Sequence, residues 1–186
     1  MSYKIYTKQG DKGKTSIIGQ DKLDKHDVRI EAYGSVDELN SYFGLLRSMN
    51  EVKKINFLCE FLIKSQNNLF KIGSYLAQTK ENRKKNQEFL ISSNSILDLE
   101  NIIDKMEKEI PAITRFVLPG GTMCSSHFQI ARAICRRSER RITFFHQKEY
   151  LDKNLLIYIN RMSDFLFVSA RFLLFNSNEN ELFWEK

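Results

Sequence analysis

The chain has 186 residues, with 29 Lys and Arg against 23 Asp and Glu, a formal charge of +6 and a pI near 9.2. That length fits one domain, and the basic excess fits a polyanionic partner (a nucleotide, a nucleic acid or a membrane surface), although a Lys-rich, Asn-rich composition alone gives the same excess. Cys59, Cys124 and Cys135 lack CxxC spacing and His26, His127 and His146 form no HExxH cluster, which excludes a disulfide framework and a structural zinc site; no apolar run reaches membrane length and no leader pattern opens the chain.

From Tyr6 the chain reads YTKQGDKGKTSIIG, a polar stretch in which lysines alternate with glycines and hydroxyl residues. Glycines let backbone N–H groups approach a ligand and lysines neutralise it, so this is phosphate-cradle chemistry or, equally, a mobile basic arm. It is not a P-loop, because Lys8 stands where that motif needs its first glycine and no strand–loop–helix context follows. Beyond a short Tyr3–Tyr6 stretch, nothing alternates like a strand.

The first helix is predicted over Asp27–Arg47. Val36, Leu39, Phe43 and Leu46 form its core stripe, and Gly34, Asp37, Ser41 and Gly44 form a second stripe of small residues with one acid. A glycine-lined face needs something close against it, and Asp37 is a candidate buried acid whose natural partner is Arg132. The alternative is a packing face with Asp37 at its wet edge. A second helix runs over Val52–Gln78 and is all core. Residues Thr79–Glu88 (TKENRKKNQE) are charged throughout and read as a loop or an exposed helical extension. A third amphipathic helix covers Ser95–Ile110.

The connection PAITRFVLPGG, residues Pro111–Gly121, holds both prolines of the chain and presents Phe116, Val117 and Leu118 ahead of the next helix. These either plug the end of the bundle or wall a large ligand. The helix that follows, Thr122–Gln147, carries a seam of Phe128, Ala131, Cys135, Ser138, Ile142 and Phe145. Arg132, Arg136 and Glu139 fall beside that seam, whereas Arg137 and Arg141 point toward solvent. Charges at the edge of a packed surface need partners, so the strip is either an anion clamp or a solvated face with i,i+4 pairs. The last helix, Leu155–Phe175, is strongly apolar, yet Asn160, Asp164 and Arg171 align on one face. The tail from Asn176 ends in Phe183 and Trp184, side chains suited to docking.

Five segments, YTKQGDKGKTS, RIEAYGSVDELNS, RFVLPGG, ARAICRRSERR and YINRMSDFLFVSAR, together resemble the PduO-type ATP:cob(I)alamin adenosyltransferase family. They occur in the family's order and span Tyr6 to Arg171. The resemblance implies an all-α, ferritin-like five-helix bundle that trimerises, with active sites between subunits. Residues 1–186 would be one domain: an N-terminal ATP-binding loop over 1–26, the bundle over 27–176 and a tail over 177–186.

On the same resemblance, ATP binds through Thr7, Lys8, Gly10, Asp11, Lys12, Gly13, Thr15 and Lys25, with Arg136, Arg137, Glu139 and Arg140 from the arginine helix and Asn160 from the last helix. Arg136, Glu139, Asp37, Arg132 and Phe116 are the implied catalytic set. Phe116, Asp37, Arg132 and Asp164 face the corrinoid, with Asp37 and Arg132 as a salt bridge. Gln9 stands where Thr is common. The implied reaction moves the 5′-deoxyadenosyl group of ATP to the Co(I) of a reduced corrinoid, cob(I)alamin or cob(I)yrinic acid a,c-diamide, and releases triphosphate. Mg²⁺ is expected on the triphosphate near Glu139, with no direct protein ligand assigned. A reductase would supply electrons, neither nucleic acid nor membrane would be a partner, and the expected compartment is the cytoplasm. A nucleic-acid-binding helical module would explain the charge but leaves the glycine-rich segment and Phe116 without a role. A purely structural bundle leaves the aligned Asn160, Asp164 and Arg171 unexplained.

Overall fold

The computed structural model describes residues 4–6, 8 and 10–185, without the side chains of Gln20 and Asp21. Two short strands, β1 (Lys14–Ile17) and β2 (Gln20–Asp24), precede the helices α1 (Val28–Ser48), α2 (Asn50–Lys53), α3 (Asn56–Leu76), α4 (Lys80–Lys85), α5 (Ser93–Glu107), α6 (Met123–Lys148) and α7 (Lys153–Asn176). The chain is therefore mostly helical, with one antiparallel two-stranded sheet.

The long helices begin where polar side chains cap them. Asp27, Ser92, Thr122 and Asp152 each accept a hydrogen bond from a first-turn N–H of α1, α5, α6 and α7. Their predicted apolar stripes all turn inward. Val36, Leu39, Phe43 and Leu46 of α1 and Phe128, Ala131, Cys135, Ser138, Ile142 and Phe145 of α6 are buried. Packing runs in the order α3–α1–α6–α7–α5, each helix against the next, and α3 closes on α7 through Phe57–Phe172 and Phe61–Phe165 ring contacts.

Three expectations are corrected. The glycine-rich segment is not all loop: residues 14–24 form a hairpin with a bulge between Thr15 and Ile17. Gly13 and Gly19 take positive φ (72° and 91°) at its start and turn, which the β-branched neighbours could not supply. The predicted second helix is two pieces, because Ile55 leaves helical geometry (φ −113°, ψ 85°) between α2 and α3. The TKENRKKNQE segment is not simply exposed. Thr79 caps the short α4, and Arg83 turns inward until only 4% of it is accessible. Smaller shifts occur at α5, which starts two residues before Ser95 and ends before Ile110.

Candidate active site

Two grooves stand out, one between α1 and α3 next to the lysine-bearing N-terminal segment and one on α6 lined by arginines. The N-terminal segment folds back on itself: Asp11 N–H donates to the Lys8 carbonyl, Gly13 N–H to that of Gly10, and Lys25 N–H to that of Gly13 at 2.9 Å. The Lys25 side chain passes so close to Gly10 that a β-carbon there would meet Nζ at 3.1 Å. Lys25 thus stands beside Gly10 in the same segment as Lys8, Lys12 and Lys14. Lys14 is paired with Asp24 at 3.7 Å, while Lys8, Lys12 and Lys25 are exposed. Thr15 hydrogen-bonds the Tyr33 hydroxyl, which partly offsets the upward push that burial gives its pKa. Thr7 and Gln9 lie outside the described residues.

Beside this arm is a cavity of about 320 Å³ lined by Ile18, Tyr33, Gly34, Asp37, Asn40 and Phe70, among others. The small-residue stripe of α1 therefore forms a groove, not a close helix–helix contact. Asn40 is 5% exposed, yet its Oδ1 has no hydrogen-bond partner. An unsatisfied buried acceptor costs about 1–3 kcal/mol, so it marks the groove as a place for a polar ligand. Tyr33 and Asn40 lie within RIEAYGSVDELNS, where neither carries a charge that would mark it in sequence.

The second groove, about 310 Å³, lies on the outer face of α6 and is lined by Arg136, Glu139, Arg140, Thr143, Phe144 and Gln147. Arg136 and Arg140 are exposed and have no ion-pair partner among the described residues. Glu139 accepts a hydrogen bond from Asn160 Nδ2 at 2.9 Å, which ties α6 to α7. Arg132 sits further along the strip, over the Phe167 ring and hydrogen-bonded to Gln129 at 3.0 Å. Burial, and then the charge of Arg136, push its pKa down. Three arginines to one carboxylate, Glu139, leave this strip with excess positive charge, as an anion site would have it.

Several predicted residues are placed differently. Asp37 is exposed, and no ion pair joins it to Arg132 within the chain, because α1 turns Asp37 toward α3 while α6 packs on the other side. Arg137 and Arg141 do not face free solvent: they pair with Glu38 and Glu31 of α1. The polar strip of α7 splits. Asn160 and Asp164 are exposed, and Asp164 pairs with Arg161. Arg171 is buried against Glu181 of the tail and the Pro111 carbonyl. Neither Glu38 nor Glu31 was legible as a partner, since the pairing needs the α1–α6 register.

The Phe116 loop is not a plug. Phe116 is 77% exposed. The tail pairs with it as a short antiparallel strand: Trp184 N–H donates to the Phe116 carbonyl and Leu118 N–H to that of Leu182, both at 2.8 Å. The Trp184 ring meets Phe116 edge to face, and Arg115 stacks on Phe183. An aromatic platform held open to solvent suits a large flat apolar ligand.

Neither buried thiol is prepared as a nucleophile. Burial pushes the Cys124 thiol up to about 12 and that of Cys135 higher still, which leaves almost no thiolate at neutral pH. Among the described residues no three His, Cys, Asp or Glu gather as a metal cage. Glu139 is the carboxylate of the arginine groove, and one carboxylate together with phosphate oxygens is a donor set that suits Mg²⁺.

Residues 5–173 match the family model for cobalamin adenosyltransferase. A corrinoid adenosyltransferase of Bacillus subtilis is 37% identical over 184 residues, covering 98% of this chain and 93% of that protein. A human corrinoid adenosyltransferase is 37% identical over 187 residues, covering 98% and 74%. A variant PduO-type ATP:corrinoid adenosyltransferase from Lactobacillus reuteri, solved with cobalamin and ATP, superposes with a TM-score of 0.90 at 36% identity, covering 98% and 100%. The chain belongs to the cobalamin adenosyltransferase family.

Proposed function

We propose that this chain transfers the 5′-deoxyadenosyl group of ATP to the cobalt of a reduced corrinoid, in active sites that each draw on two subunits of a trimer. Cobalt is the nucleophile. The Co(I) electron pair attacks C5′ of the ribose, the C5′–O bond breaks, and its electrons leave with triphosphate as cobalt becomes formally Co(III). The protein's task is to align the reactants and to stabilise the charge that develops on the leaving group. That requires many cations and no Ser, Cys or His nucleophile.

The observation that carries this reading is that the lysine arm and the arginine strip adjoin different grooves. The hairpin that follows Lys8 and Lys12 borders the α1–α3 groove through Ile18, and the Arg136, Glu139, Arg140 strip lies on α6 toward α7. Neither encloses a triphosphate by itself. A ring in which the α1–α3 groove of one subunit faces the α6–α7 groove of the next would close both, once per interface. The same docking brings Asp37 of one subunit toward Arg132 of its neighbour, so the expected pair forms between chains. Arg137 and Asp164 belong to the rim in this reading, Thr7 is a further ATP contact by the family resemblance alone, and the five long helices form a ferritin-like bundle.

Mg²⁺ would supply further charge neutralisation on the triphosphate, and Glu139 is the carboxylate that would help hold it. Phe116, exposed and propped by Trp184, lies under the corrin plane and keeps water and the lower axial base off cobalt, which eases reduction of Co(II) by a partner reductase. The expected setting is the cytoplasm, with neither nucleic acid nor membrane as partner. The direct test is absorbance of a light-sensitive alkylcobalamin formed from protein, ATP, Mg²⁺ and chemically reduced cobalamin. Absence of that product refutes the activity, and full activity of a monomer refutes the shared site.

A further inference from the structure

Beneath the N-terminal hairpin lies a buried charge cluster that the reaction does not use. Arg29 of α1 donates to Glu149 Oε2 at 2.8 Å, and Arg83 of α4 pairs with the other oxygen, Oε1. Both guanidinium groups also donate to the Gln78 carbonyl at 3.3 Å, and both lie over the Phe145 ring. Two cations and one carboxylate are thus enclosed where α1, α3, α4 and the end of α6 converge. Asp27 and Glu81 add only more distant charge. Arg83 is 4% exposed and Gln78 fully buried.

The cluster is wired to the hairpin by backbone. Ile18 N–H donates to the Ala77 carbonyl at 2.9 Å, and Thr79 N–H to the Ile18 carbonyl at 3.2 Å, so Ile18 bridges Gln78 in parallel. Asn82, the residue before Arg83, donates its side-chain amide to the same Ile18 carbonyl. Gly19 packs against it so tightly that a β-carbon would lie 2.1 Å from Asn82 Nδ2. The short α4 is a six-residue polar helix whose one buried side chain is Arg83, so its seating depends on Glu149.

We propose that Glu149 is a positioning residue for ATP: by clamping Arg29 and Arg83 it fixes the Gln78–Asn82 ledge on which the hairpin rests, and so the height of the Lys8–Lys25 cradle. This rests on the reading of the arm as the ATP site. A misplaced cradle loses nucleotide binding while the corrinoid face, formed by the Phe116 loop and tail, is untouched.

The test uses Glu149→Gln in the full chain. Expected are a rise of at least about tenfold in KM for ATP with kcat at saturating ATP nearly unchanged, and unaltered cob(II)alamin binding. Amide hydrogen exchange should quicken over residues 14–24 but not in the core of α7, since a local docking has failed and not the bundle. An unchanged KM for ATP, or equal acceleration in hairpin and bundle, overturns the proposal. Gly19→Val separates the hairpin from α4 without touching the buried charges, and serves if Glu149→Gln does not fold. It must raise KM for ATP alike, and silence there overturns the proposal too. Lys25→Ala distinguishes the two levels. If it leaves ATP use intact, the arm is not the ATP site and the inference falls with it. If it impairs ATP use while Glu149→Gln and Gly19→Val do not, the inference alone falls.

Discussion

Two inactive forms of this chain should restore each other when mixed. One carries Lys12→Ala and Lys25→Ala, which empties the arm; the other carries Arg136→Ala and Arg140→Ala, which empties the strip. All four side chains are exposed, and neither arginine has an ion-pair partner among the described residues, so none of the losses strands a buried charge. Each removes a contact to a charged ligand worth about 1.5–3 kcal/mol, so a pair removes about 3–6 kcal/mol, roughly 10²–10⁴-fold in kcat/KM. In a ring, a site is intact only if one subunit supplies a native arm and the next a native strip. With equal, random mixing that holds for about one site in four, so co-expressed variants recover about a quarter of native activity. The assay is alkylcobalamin formation by the mixture against each variant alone. If arm and strip of the same chain served one site, every site would lack one half, and a mixture no better than its components refutes the shared site.

The remaining predictions address single features. Phe116→Ala removes the aromatic platform and should slow turnover from cob(II)alamin far more than it weakens ATP affinity; equal loss of both counts against the platform. Arg136→Lys should impair ATP use, because a point charge does not replace a guanidinium fork, and unchanged kinetics would remove Arg136 from the site. Asp37→Arg and Arg132→Asp should each weaken trimers, and the double exchange should restore them in mass measurement if the pair forms between chains. Glu181→Gln leaves Arg171, 5% exposed, without its carboxylate. Breaking such a pair costs about 3–5 kcal/mol in full, but the tail can undock instead, so the change expected is a red shift of Trp184, the one tryptophan, with little loss of thermal stability. Thiol reagents should leave activity intact, since burial pushes Cys124 to about 12 and Cys135 higher, and no thiolate acts in the reaction; inactivation through either residue would contradict this.

How much was legible beforehand depended on whether a feature was local. Helical periodicity and caps are local, so α1, α6 and α7 began and ended within a residue or two of expectation. The hairpin at residues 14–24 was missed because its turn depends on positive φ at Gly13 and Gly19, and its edge is secured by Ile18 against Gln78, some sixty residues away in the chain. Arg83 was hidden in a run of charge: nothing in TKENRKKNQE distinguishes it from Lys84 or Lys85, and its burial rests on Glu149, the Gln78 carbonyl and two aromatic rings, all outside that segment. The same limit applies to Arg137 and Arg141, whose partners lie across the α1–α6 seam. A cation with no partner in its own helix shows in sequence as an excess of charge, but whether its partner is a carboxylate across a seam or something outside the chain does not.

That contrast also bears on assembly. Arginines meant for structure are answered within the chain: Arg29, Arg83, Arg137, Arg141, Arg161 and Arg171 each have a carboxylate. Of the arginines without one among the described residues, Arg47, Arg115, Arg132, Arg136 and Arg140, the last two line a groove whose rim holds Phe144 at 50% exposure. The other groove shows the same mixture, with Phe70 at 65% exposure beside Asp37 and the lysine-bearing arm. Large aromatics next to unanswered charge are costly to leave in water and useful at a junction, where the ring buries area and the charge meets a ligand or an opposite charge. A chain with both grooves satisfied in isolation would have no reason to carry either aromatic outward. Phe70→Ser and Phe144→Ser should therefore each shift trimer toward monomer and lower activity in proportion to trimer content. A fully active monomer of either variant would place the whole site within one chain.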